Sequence, residues 1–321
     1  MKLLVTGGAG FIGTNFVKRQ VSLNPLGVSE VVVLDKLTYA GNYENFTPEE
    51  KNNFEFIQGD ICDRDLVDQL INRVDLVVNF AAESHVDRSI SSGTSFVQTN
   101  TLGTQVLLDS CRKHEISKFL QVSTDEVYGS IDEGSWNEEF PLLPNSPYSA
   151  SKAGADLLVR AYGKTFDFHT NITRCSNNYG PYQYPEKVIP LFITNLIRGK
   201  QIPIYGKGLN IRDWLHVEDH CRGIELVLQR GHKGEIYNIG GGTELTNMEL
   251  ATTILNYFGF KEDKIDFVRD RLGHDIRYSV DISKITAHLG FMPQVSFDSG
   301  LKSTISFYQQ NHVWWKSLVV N

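Results

Sequence analysis

The chain contains no apolar run approaching the roughly 20 residues that a bilayer-spanning helix needs. Its first apolar segment begins at Leu3 and meets glycine at Gly7, so it reads as a strand and not as a secretory leader. Cysteine is scarce. Cys62, Cys111, Cys175 and Cys221 are scattered, with no Cys-x-x-Cys spacing, which points to reduced thiols in a cytoplasmic protein and away from a disulfide framework. Positive charge is not in excess: the formal net charge of -7 argues against general nucleic-acid binding. An anionic substrate would need a local cluster of Arg and Lys. Internal repeats, low-complexity tracts and linker-like stretches are also lacking. No metal-ligand set emerges. His216 and His220 stand at i and i+4, but the glutamate between them has the wrong offset for a zinc protease and no third ligand is evident. That segment reads as a helix start, so no metal is expected.

What is present is an ordinary globular composition, 321 residues with 41% apolar side chains, long enough for about two domains. Short apolar runs at Leu3–Val5, Val31–Leu34, Phe54–Ile57, Leu76–Phe80 and Phe119–Val122 read as buried strands. Helical patterns lie between them, notably 94–113 and 148–166. This alternation predicts a Rossmann-type α/β fold, a doubly wound parallel sheet covered on both faces. After about Cys175 the rhythm breaks at Gly180, Pro181, Pro185 and Pro190. Shorter elements follow: a strand at 202–205, helices at 217–228, 247–258 and 282–289, and a strand at 235–239 returning toward the main sheet. The expected division is a cofactor domain over 1–175, rejoined by segments around 211–240, and a smaller α/β substrate lobe over 176–321.

Three motifs carry the chemistry. The first is Gly7-Gly8-Ala9-Gly10-Phe11-Ile12-Gly13, a Gly-x-x-Gly-x-x-Gly turn between a strand and a helix. Glycine lets the backbone approach a pyrophosphate, and the helix N-terminus offers free N–H groups. Asp35 ends the next strand roughly 20 residues on, where a carboxylate accepts ribose hydroxyls and repels a 2′-phosphate, favouring NAD over NADP. Lys36 beside it weakens that preference slightly. Asp60 and Ile61 after the third strand are candidates to flank the adenine, and the small residues of Phe80-Ala81-Ala82-Glu83-Ser84 would let a flat cofactor lie on the chain.

The second motif is Tyr148-Ser149-Ala150-Ser151-Lys152, a phenol and an ammonium on one helical face. The nearby cation is expected to lower the phenol's pKa so that it serves as a base. The third is Thr124-Asp125-Glu126, a hydroxyl and two carboxyl groups ending an apolar run. Together these groups suit removal of one proton by tyrosine and further proton handling by paired acids.

These residues resemble the extended short-chain dehydrogenase/reductase superfamily and, within it, the nucleotide-sugar 4,6-dehydratases, from residue 1 to about residue 310. The resemblance rests on Thr6–Gly13, Ala81–Ser89, Ser123–Gly129, Ser146–Lys152, Asn177–Pro181 and Ile211–Trp214. The glycine turn and the Tyr/Lys pair identify only the superfamily. The Thr-Asp-Glu triplet is more specific, because sugar epimerases of this fold usually carry small hydroxyl residues there.

The resemblance implies dTDP-glucose as substrate and tightly bound NAD as cofactor. Tyr148 would take the 4-hydroxyl proton as hydride leaves C4. Lys152 would lower the tyrosine pKa and hold the nicotinamide ribose, and Thr124 would bind the C4 oxygen. Glu126 would remove the C5 proton, Asp125 would protonate the departing C6 hydroxyl, and hydride would return to C6. The resemblance further places Lys36, Leu37, Thr38, Thr99 and Asn178 with the cofactor. Ser84 would face cofactor and sugar, and Asn177 the sugar or its phosphate. Lys187 and Val188 would lie near the nucleotide, with Pro203, Ile204 and Tyr205 lining a thymine pocket. Arg212, Arg271, His274 and Asn247 would serve the diphosphate or nucleoside. Leu272 departs from the proline often found there, which loosens the argument around Arg271.

Other readings stay open. A nucleotide-sugar 4-epimerase or decarboxylase needs Tyr148 and Lys152 but not the acid pair. A non-catalytic NAD-sensing scaffold needs neither. His85 is at least as readily a structural histidine, and Arg212 an ion-pair partner. Trp314 and Trp315 read as sealing a packing surface. Apolar Phe96, Val97, Leu107, Leu108, Leu157, Leu158 and Val159 suggest a helical face for a homodimer, unless both helices bury them against their own sheet.

Overall fold

The computed structural model describes residues 1–270 and 273–319. Twelve strands occur among them: β1 (Lys2–Thr6), β2 (Glu30–Asp35), β3 (Glu55–Gln58), β4 (Leu76–Asn79), β5 (Lys118–Thr124), β6 (Thr170–Cys175), β7 (Asn177–Tyr179), β8 (Ile202–Tyr205), β9 (Ile211–His216), β10 (Ile236–Ile239), β11 (Glu244–Thr246) and β12 (Ile265–Val268). Seven form one sheet in the order β10-β6-β5-β4-β1-β2-β3, and every neighbouring pair is parallel.

The apolar runs explain this sheet. Side chains alternate across a strand, so Leu3, Val5, Val31, Val33, Leu76 and Val78 enter one core. Leu4, Val32, Leu34 and Val77 enter the opposite one. Both faces are therefore apolar, which a parallel sheet flanked by helices requires. Each such side chain contributes about 1.5–3 kcal/mol by its burial. The Phe11–Leu23 and Val217–Arg230 helices pack together on the first face. Arg19 and Gln20 both donate to Glu225 at 2.9 Å across that contact. On the second face lie the Arg64–Ile71, Thr104–Lys113 and Pro147–Phe166 helices, contributing Leu70, Leu107 and Val159.

A separate core underlies the later elements, with Phe192, Ile204, Trp214, Ile254, Ile305 and Trp315 fully or almost fully buried. Here β9 pairs parallel with β7 and antiparallel with β11, and β8 pairs with β12. Of the segments expected around 211–240, β10 and the Val217–Arg230 helix lie on the main sheet, whereas β9 belongs to the three-stranded sheet.

Two local findings differ from the periodicity. Strand β6 gave no apolar signal, since it reads Thr-Asn-Ile-Thr-Arg-Cys. Its polar groups are buried against distant partners: Asn171 donates to the His232 carbonyl (2.6 Å), and Arg174 to Asp156 (2.9 Å). The expected 94–113 helix widens to π geometry over Val97–Gly103. There the Asn100 amide bonds the backbone N–H and carbonyl of Glu83 and the hydroxyl of Ser151. Such wide turns recur at functional sites.

Candidate active site

The C-terminal ends of β1, β2, β4, β5 and β6 open into one cleft, and the chemistry-bearing motifs line it. The glycine turn forms its floor. Gly7 has φ +68°, and a Cβ there would lie 2.5 Å from the Ala81 nitrogen. A Cβ on Gly13 would lie 2.2 Å from the Gly7 carbonyl oxygen. Both positions thus exclude a side chain. The Phe11–Leu23 helix starts at Gly10 with no side-chain cap, so its first N–H groups remain available to an anion. The substitution Gly13→Ala is expected to yield protein that loses its bound nicotinamide nucleotide on purification. Acid extraction and absorbance would measure this, with circular dichroism checking that the sheet persists.

Asp35 accepts the N–H groups of Ala9 (2.9 Å) and Leu37 (2.8 Å), which fixes its carboxylate at the cleft. Burial raises its pKa, and these backbone bonds oppose the rise. Lys36 pairs with Asp60 at 2.7 Å, so the cation beside Asp35 is already engaged. A carboxylate in this position and an uncapped helix start fit a dinucleotide lacking a 2′-phosphate.

Tyr148 and Lys152 project from the Pro147–Phe166 helix. That helix begins with a Ser146/Ser149 capping box and Pro147 in its first turn. Both side chains are buried. Lys152 Nζ donates to the Val122 carbonyl of β5 at 2.8 Å, and burial pulls its pKa down while Asp156, one turn further on, opposes that. Tyr148 differs from expectation. Burial drives its phenol well above the ordinary range, with Glu126, Cys175 and Asp125 adding to the rise and a bond to Thr124 opposing it. Desolvation and three neighbouring acidic groups outweigh the lysine one turn away.

Thr124 closes β5, and Asp125–Tyr128 form a 3-10 turn capped by the Thr124 hydroxyl, which accepts the Glu126 N–H. The same hydroxyl donates to Asp125 Oδ1 at 3.2 Å. Asp125 is 2% exposed, and its Oδ2 has no protein partner. Burial, then Glu126 and Asp213, push its carboxyl well above the usual range, which favours the protonated form, while Thr124 and Arg212 oppose the rise.

Of the expected cofactor residues, all but Leu37 line the cleft. Leu37 instead takes a left-handed conformation (φ 54°) that turns its N–H onto Asp35. Asn178 is tied to His220 (2.9 Å) and to the Ser176 carbonyl (2.9 Å). Ser84, Asn177 and Lys187 also line the cleft, and Lys187 Nζ donates to the Ser84 carbonyl at 2.9 Å.

A smaller cavity adjoins it, lined by Arg212, His274, Ser146, Asp275 and Tyr278. Glu126 and Asn177 border both cavities, and Asn177 Oδ1 is buried without a protein partner. Arg212 donates to the carbonyls of Ile211 (2.7 Å) and Asp275 (3.0 Å), and its guanidinium lies 4.2 Å from the Tyr278 ring centre.

Val188, Pro203, Ile204, Tyr205 and Asn247 line neither cavity. Ile204 is 1% exposed in the third core, and Val188 packs against that core at the start of its helix. Asn247 opens the Asn247–Phe258 helix. Tyr205 contacts the His274 ring, which borders the smaller cavity. Arg271 and Leu272 lie outside the described residues.

Sequence reasoning missed Tyr39, Cys175, Ser176, Gln183, Tyr184 and Glu186 on the cleft. Their only signal was position beside the Asp35 and Asn177–Pro181 motifs. Arg88 stacks on the Tyr39 ring at 3.7 Å and pairs with Glu186 at 3.2 Å, so the Val86–Ser91 helix joins two loops at the cleft.

The seven-stranded parallel sheet, the glycine turn and the Tyr148–Lys152 pair define a Rossmann-type enzyme of the short-chain dehydrogenase/reductase class. Comparison with known proteins narrows the class. The family model described as GDP-mannose 4,6 dehydratase matches residues 4–304. A dTDP-glucose 4,6-dehydratase from Streptomyces niveus is 55% identical over 99% of this chain and 96% of its own length. The solved structure of DesIV, a dTDP-glucose 4,6-dehydratase from Streptomyces venezuelae with NAD and a thymidine nucleotide bound, superposes with a TM-score of 0.97. It is 53% identical and covers 99% of this chain and 100% of that one. A UDP-glucose 4-epimerase from Thermotoga maritima, 28% identical over 97% of this chain and 100% of its own, has a TM-score of 0.90. The chain belongs to the nucleotide-sugar 4,6-dehydratase family, among the dTDP-glucose 4,6-dehydratases.

Proposed function

We propose that this protein removes water from dTDP-glucose to give dTDP-4-keto-6-deoxy-glucose, with NAD as its resident cofactor. The observation that carries the reading is the meeting of Thr124, Asp125, Glu126 and Tyr148 in one cleft, with Asp125 buried and its carboxyl pKa raised by that burial. An epimerase or decarboxylase has no use for that acid pair. Mixing the protein with dTDP-glucose tests the reading: a 4-ketone bearing a C6 methyl group supports it, and a galactose or pentose product defeats it. Turnover of any kind excludes a purely NAD-sensing scaffold.

NAD, when bound, accepts hydride from C4, returns it to C6 and brings a positively charged ring into the cleft. Gly7, Gly10, Phe11, Ile12 and Gly13 would hold its pyrophosphate, and Asp35 a ribose. Tyr148 takes the proton of the 4-hydroxyl. Its raised pKa, set first by burial and then by Glu126, opposes that role, and Thr124 acts against the rise. Thr124, already bonded to the phenol, steadies the C4 oxygen. The C4 ketone acidifies the C5 proton, which Glu126 removes, while Asp125 donates its proton to the departing C6 hydroxyl. Asn177 and Ser84 orient the sugar or its phosphate, and Arg212 and His274 serve the diphosphate from the smaller cavity.

The protein is further proposed to act in the cytoplasm as a homodimer. Its four cysteines are unpaired, as a reducing compartment favours. Among the described residues no helix is long and apolar enough to cross a membrane. Phe96, Leu107, Leu108 and Val159 are buried in the chain's own structure, but Val97 and Leu157 are each 55% exposed, and Leu102 lies beside them in the 97–103 segment. The 97–103 segment packs against the Pro147–Phe166 helix that carries Leu157. Leu157→Arg is therefore expected to shift sedimentation from dimer to monomer. A wild-type protein that sediments only as monomer discards the dimer.

A further inference from the structure

We infer that Trp314 is a positioning residue for the cofactor end of the cleft, acting through Asn45 on the glycine turn. The inference rests on the NAD reading above. The connection starts at Ala9, inside the turn. Its N–H donates to Asp35 Oδ2 (2.9 Å), and its carbonyl accepts from the Asn42 N–H (2.9 Å) and from Asn45 Nδ2 (3.1 Å). Asn45 Nδ2 also donates to the Thr14 hydroxyl (3.0 Å), on the helix that the turn opens. Asn45 is 3% exposed, so its amide oxygen needs a buried donor. That donor is the Trp314 indole N–H at 2.8 Å, from the His312–Lys316 helix at the far end of the chain.

An indole N–H only donates, whereas an asparagine amide can present either its oxygen or its NH2 group. Trp314 settles the choice. With the oxygen turned to the indole, the NH2 group must face the Ala9 carbonyl and Thr14. The reverse orientation would set the amide oxygen against the Ala9 carbonyl and the NH2 group against the indole N–H. Neither Trp314 nor Asn45 lines the cleft, so the effect of their hydrogen bond on a ligand passes through the turn.

The same C-terminal segment also holds a second wall of the cleft. The Trp314 ring packs at 5.7 Å from Tyr182, a residue with φ +68°. The Tyr308 hydroxyl donates to the Gln183 carbonyl, and the Tyr184 hydroxyl to the Leu318 carbonyl (3.2 Å). Gln183 and Tyr184 line the cleft themselves. Residues 308–318 therefore fasten both the glycine turn and the 182–184 loop.

The test is the rate at which purified holoprotein releases NAD, followed by the nucleotide retained after dilution and gel filtration. Trp314→Phe keeps an aromatic ring, though a smaller one, and removes the donor. It is expected to release NAD about fivefold faster, the net value of one hydrogen bond. Asn45→Ala should do at least as much. In the Asn45→Ala background, Trp314→Phe should add less than about twofold, because the two act in series. Trp314→Phe with unchanged release, or with an effect that persists in full without Asn45, overturns the inference and leaves Trp314 a packing residue. If Trp314→Phe folds poorly, Asn45→Ala alone decides, and unchanged release again overturns it. Unmutated protein that binds no NAD would instead overturn the cofactor reading.

Discussion

Tyr148→Phe is expected to lower turnover of dTDP-glucose by about a thousandfold, the scale of a lost acid–base group. Bound NAD should stay at the wild-type level. The substitution keeps the aromatic ring and its edge-on contact with Phe96 at 6.3 Å, so the helix that carries Lys152 has no reason to move. What disappears is the one hydroxyl that Thr124 and the acid pair surround. Steady-state assays with nucleotide extraction measure both quantities. A variant retaining more than about a tenth of the wild-type rate would remove Tyr148 from the chemistry.

The acid pair should separate the two halves of the reaction. Asp125→Asn and Glu126→Gln are each expected to slow loss of water by about 100-fold or more, with C4 oxidation still detectable. Asp125 also sets a pH limb. Burial first, then Glu126 and Asp213, raise its pKa well above the ordinary carboxyl value, so it keeps its proton to higher pH than a free carboxyl group does. Above the raised pKa it becomes a carboxylate and can no longer donate. Elimination should therefore fall on the alkaline side. Glu126→Gln removes a negative neighbour, which lowers the Asp125 pKa and moves that fall to lower pH. Single-turnover product analysis across pH reads both effects. If neither substitution changes turnover, the roles given to Asp125 and Glu126 are wrong.

The central sheet was legible because β1, β2 and β4 are continuous apolar runs, a pattern that only a strand buried on both faces requires. Strand β6 was not, because its polar side chains find partners such as Asp156, His232 and Glu235 that no local window contains. The groups proposed to act in catalysis stood out in the sequence because Tyr148 and Lys152 lie one helical turn apart, and Thr124, Asp125 and Glu126 are contiguous. The raised pKa of the phenol was hidden, since it depends on burial and on Asp125 and Glu126 in the turn that follows β5, not on the lysine spacing. The rest of the cleft wall, Tyr39, Tyr184 and Glu186, comes from loops that meet only after folding. Nor did the sequence show that Ile204 turns its side chain into the third core.

The central claim is that an alcohol becomes a carbonyl for as long as water is being expelled, and that the hydrogen removed from C4 is the one restored at C6. dTDP-glucose deuterated at C4 tests this most directly. Mass spectrometry and NMR of the product should find the label on the C6 methyl group. Product carrying no deuterium at C6, with the label lost to solvent or retained at C4, would contradict it.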